Sequence, residues 1–259
     1  MIKATTLLIV VVFSFWFPPL VMAAEPKKNQ PALRISAHDT PPYSNRVFTG
    51  YEDQVIREVF LRIGYAVIFK HQPGARSLLN LNDGVDDGTV SRIGGLSRTY
   101  TNLVQFTEKL EDRHYVAFTR RPDIKLAGWN DLAPYNVALI NGWKIFERNV
   151  KQAKSITKTR NLRQLFMLLK KGRADVVLAH RWVGLNMART LSINDVRMVP
   201  PPLAIREVFF YMNTKNDHLA SKASAALKAM KMDGAFQRIH NRTIGLLIRW
   251  YSEKINRSE

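Results

Sequence analysis

Residues 76–110 read RSLLNLNDGVDDGTVSRIGGLSRTYTNLVQFTEKL, and the rest of the chain takes its reading from this stretch. It predicts a short amphipathic helix with Leu78, Leu79 and Leu81 on the apolar side. Asn82, Asp83 and Gly84 stop that helix as a glycine-containing C-cap does. A brief strand over 89–93 follows, and Gly94 and Gly95 at its exit allow backbone amides to approach a small ligand closely. A second apolar run over 103–106 ends in Thr107. A strand whose carboxyl end opens into a glycine loop makes the ligand-facing edge of an open α/β sheet.

The flanking sequence repeats this plan. Residues 32–37 predict a first strand leading into His38, Asp39, Thr40, Pro41, Pro42 and Tyr43, a loop held extended by its prolines. Residues 51–63 predict the best helix, with Val55, Ile56, Val59, Phe60 and Ile63 on one face, Gly50 before it and Gly64 after it. Strands are expected over 65–70, 114–118, 136–140, 174–179 and 208–212, and helices from Trp143 to about 150 and over 161–171. The strand at 136–140 ends in Asn141, Gly142 and Trp143, leaving free backbone amides suited to an anion. Val199 to Pro202 reads as an extended breaker, and helices over 219–232 and 234–254 close the chain.

Several of these units resemble bacterial extracellular solute-binding proteins of family 3, the periplasmic receptors of amino-acid-type importers. The resemblance lies in the helix–Gly–x–x–Asp–strand unit ending at Asp87, the Phe106-Thr107-Glu108 step and the Gly172–x–Ala174-Asp175-Val176-Val177 unit. It continues in Asp233-Gly234-Ala235-Phe236 and covers about 33–243. It implies a two-lobed α/β fold of the type II periplasmic-binding-protein kind, each lobe a mixed, mostly parallel sheet flanked by helices. Lobe one would combine 31–118 with 206–259, and lobe two would be 119–205, with crossovers near 119–122 and 202–207. A small-molecule ligand would bind between the lobes, and hinge closure around it would be the functional motion.

The first 24 residues are expected to leave the mature protein. Lys3 gives a positive start, residues 4–17 are apolar, Pro18-Pro19 break the run, and Ala23 and Ala24 offer a cleavage site. This is the pattern of a secretory signal peptide, too short for a spanning helix. An uncleaved anchor is the alternative. The mature protein is then expected in the periplasm, as a monomer, with an inner-membrane importer permease as its possible partner. With no cysteine in the chain, a disulfide framework, thiolate metal sites and a lipoprotein anchor are excluded.

A net charge of +18 would ordinarily suggest nucleic acid. The signal peptide argues against that partner, and lysine and arginine are spread along the chain instead of forming one tract. Two readings of the charge stand: a surface favouring anionic partners, or the general basicity of the host. None of the six histidines lies three or four residues from another, and no nucleophile-elbow, phosphate-loop or dinucleotide motif is present. Asp86 and Asp87 are adjacent, so on a strand they face opposite ways and form no acid–base couple. Neither catalysis nor a cofactor is expected.

The resemblance implies an arginine that holds the ligand carboxylate after the first-lobe loop and an aspartate that holds its ammonium after the second-lobe strand. Counting places these positions at Tyr100, with Arg98 two residues earlier, and at His180. Tyr43 matches the family's ligand-facing aromatic residue, although it could equally cap the core. Arg76 and Arg92 flank the first-lobe strand and are candidates to hold an anion in bidentate fashion. Pairing with surface acids is the other reading for each arginine. The ligand-binding set is therefore Asp39, Tyr43, Arg76, Arg92, Arg98, Tyr100, Trp143 and His180, for an anionic or neutral ligand. A receptor feeding an importer is the leading expectation, ahead of a sensor or partner-binding protein on the same fold and an exported cyclic-acid dehydratase.

Overall fold

The alternation of Leu33, Ile35 and Ala37 buries β1 (Ala32–Ala37) at the middle of the first half of the sheet. There it pairs in parallel with β2 (Ala66–His71) and β3 (Gly88–Ile93). The computed structural model describes residues 30–256, so the leader expected over 1–24 lies outside the described residues. Between β1 and β2, α1 (Tyr51–Arg62) buries Val55, Ile56, Val59 and Phe60 on one face. Each such side chain contributes roughly 1.5–3 kcal/mol by leaving water. Its entry is fixed by Asp53, whose carboxylate accepts from the Gly50 N–H at 2.9 Å.

The segment from Arg76 to Leu110 folds as its pattern predicts, with one narrowing. In α2 (Gly74–Asn82), Leu81 is buried, Leu78 is partly buried and Leu79 is exposed. Gly84, at φ +72°, makes the turn that ends the helix. Asp87 then accepts from the Arg34 N–H at 2.8 Å and from Asn216 at 3.1 Å, which ties the start of β3 to β1 and to the chain's return. The run after the glycine loop is β4 (Leu103–Gln105), paired with the last strand.

Two long antiparallel strands, β5 (Glu111–Thr119) and β9 (Arg197–Asn213), carry the chain into a second half and back. That half contains β6 (Asn136–Ile140), α3 (Lys144–Asn149), β7 (Ser155–Thr159), α4 (Leu162–Lys170), β8 (Val176–His180) and α5 (Arg181–Thr190). The sheet order is β2-β1-β3-β9-β5-β8-β6-β7, so the two parallel groups meet at the β5/β9 pair. Leu110 and Val208 belong to the core built on α1, whereas Tyr115, Val116 and Val199 belong to the cores on the two faces of β6 and β8. The proline run, expected as a breaker, lies inside β9. Val199 pairs with Ala117 and Ala204 with Tyr115, so residues 200–203 stand opposite Val116 alone. Prolines, which have no N–H to donate, are accommodated in that irregularity.

The chain closes with α6 (Asp217–Met232), α7 (Ala235–Thr243) and α8 (Gly245–Asn256), the last two replacing the single helix expected after Gly234. The first two pack on α1. Helix α8 reaches further: Leu247 is buried in the second core, and the Tyr251 hydroxyl accepts from the Met198 N–H at 3.0 Å. Among the described residues no helix is long and apolar enough to cross a membrane.

Candidate ligand-binding site

The parallel strands of both halves point their carboxyl ends at one cleft of about 940 Å³. From the first half, β1 delivers His38 and Asp39, β2 delivers His71 and Gln72, and β3 delivers Ser91 and Arg92. From the second, β6 delivers the turn from Asn141 to Lys144, β7 delivers Arg160 and β8 delivers His180. The crevice beyond strand carboxyl ends is where open α/β sheets bind ligands, because free backbone groups and side chains converge there.

A bulge in β3 shapes the first wall. Pairing with β9 shifts between Thr89 and Arg92, and Ser91 takes a left-handed backbone at φ +53°. Bulges of this kind re-aim side chains at strand ends. The Arg92 guanidinium donates through Nη2 to His38 Nε2 at 2.9 Å, to the Gly74 carbonyl at 3.0 Å and to the Ser77 hydroxyl. Its Nε is buried and has no hydrogen-bond partner. Burial lowers the Arg92 pKa to about 10, which leaves it cationic at neutral pH. Burial, then the Arg92 and Arg113 charges, lower the His38 pKa to about 3, so its neutral ring accepts the arginine's hydrogen bond.

Arg113 forms the floor. It pairs with Glu52 at the start of α1, donates to Glu111 at 2.8 Å and to Ser91 at 3.1 Å, and lies 3.8 Å from the centroid of the Tyr43 ring. Burial opposes its charge, but the Tyr43, Glu111 and Glu52 neighbours outweigh burial and hold the guanidinium firmly protonated. On the opposite wall the Trp143 and His180 rings stack at 4.5 Å with an 8° tilt, and Tyr115 meets His180 edge-on at 4.9 Å. Burial, followed by the charge of Arg113, pushes the His180 pKa well down, and its Nδ1 is buried without a partner.

Two acids line the cleft, and each already has a cation. Glu52 holds Arg113, and the exposed Asp39 pairs with Arg46 at 3.2 Å. Lys144 bridges to Glu147 at 2.9 Å. Arg92 and Arg160, one from each wall, have no carboxylate within ion-pair distance among the described residues. The arrangement offers arginine donors to an acidic group and a stacked aromatic pair to an apolar or planar one. Among the described residues, no group of three or more His, Asp or Glu side chains could hold a metal ion.

Of the residues expected from sequence, the structure brings Asp39, Arg92, Trp143 and His180 to this cleft. Tyr43 is buried under Arg113 and lines a different, smaller cavity. Arg76 is exposed on α2 and Arg98 is exposed in a short helical turn, both away from the cleft lining. Tyr100 packs against Leu81, Leu103 and Tyr211 in a satellite core. Sequence reasoning missed Arg113, Glu52, His38 and Arg160. Glu52 had a signal, an acid in the first turn of the strongest helix and next to the loop of Tyr43. Arg113 had none, because Glu111-Asp112-Arg113 reads as solvated surface.

No family model matches the chain. The L-cystine-binding protein TcyA of Bacillus subtilis is 21% identical over 211 residues, covering 81% of this chain and 75% of its own. The ligand-binding core of GluR0 in complex with L-glutamate superposes with a TM-score of 0.72 at 15% identity, covering 82% of this chain and 98% of that one. A histidine kinase sensor domain with similarity to periplasmic binding proteins gives 0.68 at 19% identity, covering 83% and 96%. At these identities the likeness is one of fold: the chain has the two-lobed, periplasmic-binding-protein-like fold that its motifs implied. All three are named for ligand binding or sensing.

Proposed function

We propose that this protein is an exported solute receptor that closes two lobes around a small polar anion and presents it to an inner-membrane importer. The observation that carries the reading is the pair Arg92 and Arg160, which line one cleft from opposite walls without a carboxylate partner among the described residues. Lobe one takes 31–118 and 206–243 and lobe two takes 119–205, with α8, expected in lobe one, held against lobe two through Leu247 and Tyr251 and with β5 and β9 as the connections about which they close. A ligand acid between Arg92 and Arg160 favours closure, since charge-assisted hydrogen bonds then form to both walls. Of the two cleft acids, Glu52 is committed to buried Arg113, and Asp39 is shared with the exposed Arg46. This favours organic acids and acidic amino acids over basic ones, and the L-cystine named for the Bacillus relative falls between.

The test is a thermal-shift screen of refolded, ligand-free protein, confirmed by calorimetry. The panel holds dicarboxylates, L-glutamate, L-cystine, phosphate, L-arginine and a polyamine. An acid present at 100 times its dissociation constant adds about 2.7 kcal/mol of stability. A best ligand that is cationic would overturn the assignment.

A further inference from the structure

A second cavity of about 340 Å³ lies beside the β5 connection. Alternation along β5 places Arg113 in the cleft and His114 in this other space. Its remaining walls come from both halves of the molecule: Tyr51 of α1 and Phe236 and His240 of α7 on one side, Arg181 and Trp182 of α5 on the other. The aromatic rings form a half-cage. Tyr51 meets Phe236 edge-on at 5.7 Å and His240 at 5.6 Å, and Trp182 meets His240 at 6.4 Å.

Six buried side-chain atoms among the described residues have no hydrogen-bond partner, and three of them belong to this one lining: His114 Nδ1, Arg181 Nε and His240 Nδ1. Buried polar groups are nearly always hydrogen-bonded, so three orphans around one space point to an occupant. The acids at the rim are already engaged. Glu111 accepts from Arg113, and Asp112 from Lys109 at 2.9 Å. Lys231 likewise holds Glu108. What the cavity has to spare is therefore one fixed cationic donor, Arg181 Nε, and two histidine nitrogens that donate in one tautomer and accept in the other, set among apolar rings. We propose that this cavity is a second ligand site, for a small carboxylate with an aromatic or similarly apolar body, distinct from the interlobe cleft.

The carboxylate accepts from Arg181 Nε and from the histidine Nδ1–H groups, and the body lies against Tyr51, Trp182 and Phe236. Burial lowers the pKa of both His114 and His240, with the Arg181 charge adding to the effect on His114. Both rings are then neutral, and an anion selects the tautomer with hydrogen on Nδ1. A volume of about 340 Å³ is at the lower end of the range of small-molecule pockets.

Benzoate is the probe, with benzamide as its uncharged counterpart and acetate as the headgroup alone, each titrated calorimetrically into the full mature chain. Benzoate is expected to bind at one site and at least tenfold more tightly than benzamide or acetate. Arg181→Gln is expected to weaken it at least tenfold, and Arg92→Ala to leave it within twofold. His240→Phe, which keeps the volume and the edge contact, is the second variant and is expected to weaken it similarly should Arg181→Gln not fold. Absence of benzoate binding overturns the proposal. So does wild-type affinity in folded Arg181→Gln and His240→Phe, or a loss confined to Arg92→Ala, which would put benzoate in the cleft.

Discussion

Arg92 donates to His38 across 2.9 Å, although the two lie at the ends of different strands and 54 residues apart in the chain. The bond holds the guanidinium at the mouth of the cleft without neutralising it, because a histidine whose pKa lies near 3 accepts as a neutral ring. Removing the arginine removes the first wall's unpaired cation. Charge-assisted hydrogen bonds contribute about 1.5–3 kcal/mol each. Arg92→Ala is therefore expected to weaken the acidic ligand about ten- to a hundredfold in calorimetry. Unchanged affinity in the folded variant would make Arg92 a structural residue.

The Arg113–Glu52 pair is almost wholly buried, with side chains 6% and 4% exposed. Removing one partner of such a pair strands the other charge and costs roughly 3–5 kcal/mol, less here because Glu111 still holds Arg113. Glu52→Gln is expected to fall toward the lower end of that range in urea unfolding. The triple variant Glu52→Gln, Glu111→Gln, Arg113→Met, which leaves no buried charge in this cluster, should be more stable than Glu52→Gln alone. A triple variant less stable than the single one would mean that the arginine's packing on Tyr43 outweighs its charge.

Gly50 is a steric hinge point for the Tyr43 loop. A Cβ placed there would sit 2.3 Å from the Tyr43 carbonyl oxygen and 2.7 Å from the Ser44 Cα, both backbone atoms that cannot swing aside. Overpacking of this kind costs typically 1–3 kcal/mol. Gly50→Ala is expected to lower the unfolding midpoint in urea with little change in slope. It should also loosen ligand binding, since Tyr43 supports Arg113. A midpoint equal to wild type would show that the loop relaxes freely.

Much of the fold could be read because its punctuation is explicit. β1 and β6 carry strong apolar patterns, and α1 is bounded by Gly50 and Gly64, so these elements come out within a residue or so. β7 was missed because Ser155, Ile156, Thr157, Lys158 and Thr159 form an exposed edge strand with one apolar residue. α5 was missed because His180 passes directly from strand to helix with no glycine or proline between them. Arg92, Trp143 and His180 could be placed at the cleft because they lie at a strand's carboxyl end or its glycine turn. Arg113 could not, since its importance comes from burial against Tyr43 and Glu52, residues distant in sequence. Tyr43 matched a ligand-facing position by order alone, and the structure turns its ring under Arg113 instead.

Acid should destabilise the protein across a defined window, and the sign follows from two histidines. In the unfolded chain a histidine titrates near 6.5, whereas in the fold burial and then the neighbouring arginine charges lower His38 to about 3 and push His180 well down. Below pH 6.5 the unfolded state takes up protons that the folded state refuses, so stability falls as pH falls. The loss begins near pH 6.5 and continues toward pH 3 for His38. Each unit of depression realised in the fold corresponds to about 1.4 kcal/mol. Urea unfolding at pH 7.5, 6 and 5 should therefore show a stepwise drop, and His38→Gln should make it shallower while leaving the His180 share, because glutamine can still accept from Arg92 but does not titrate. A wild-type profile that stays level from pH 7.5 to 5 would mean that His38 is protonated in the fold. Its bond to Arg92 would then have to be reassigned, since an imidazolium cannot accept from a guanidinium.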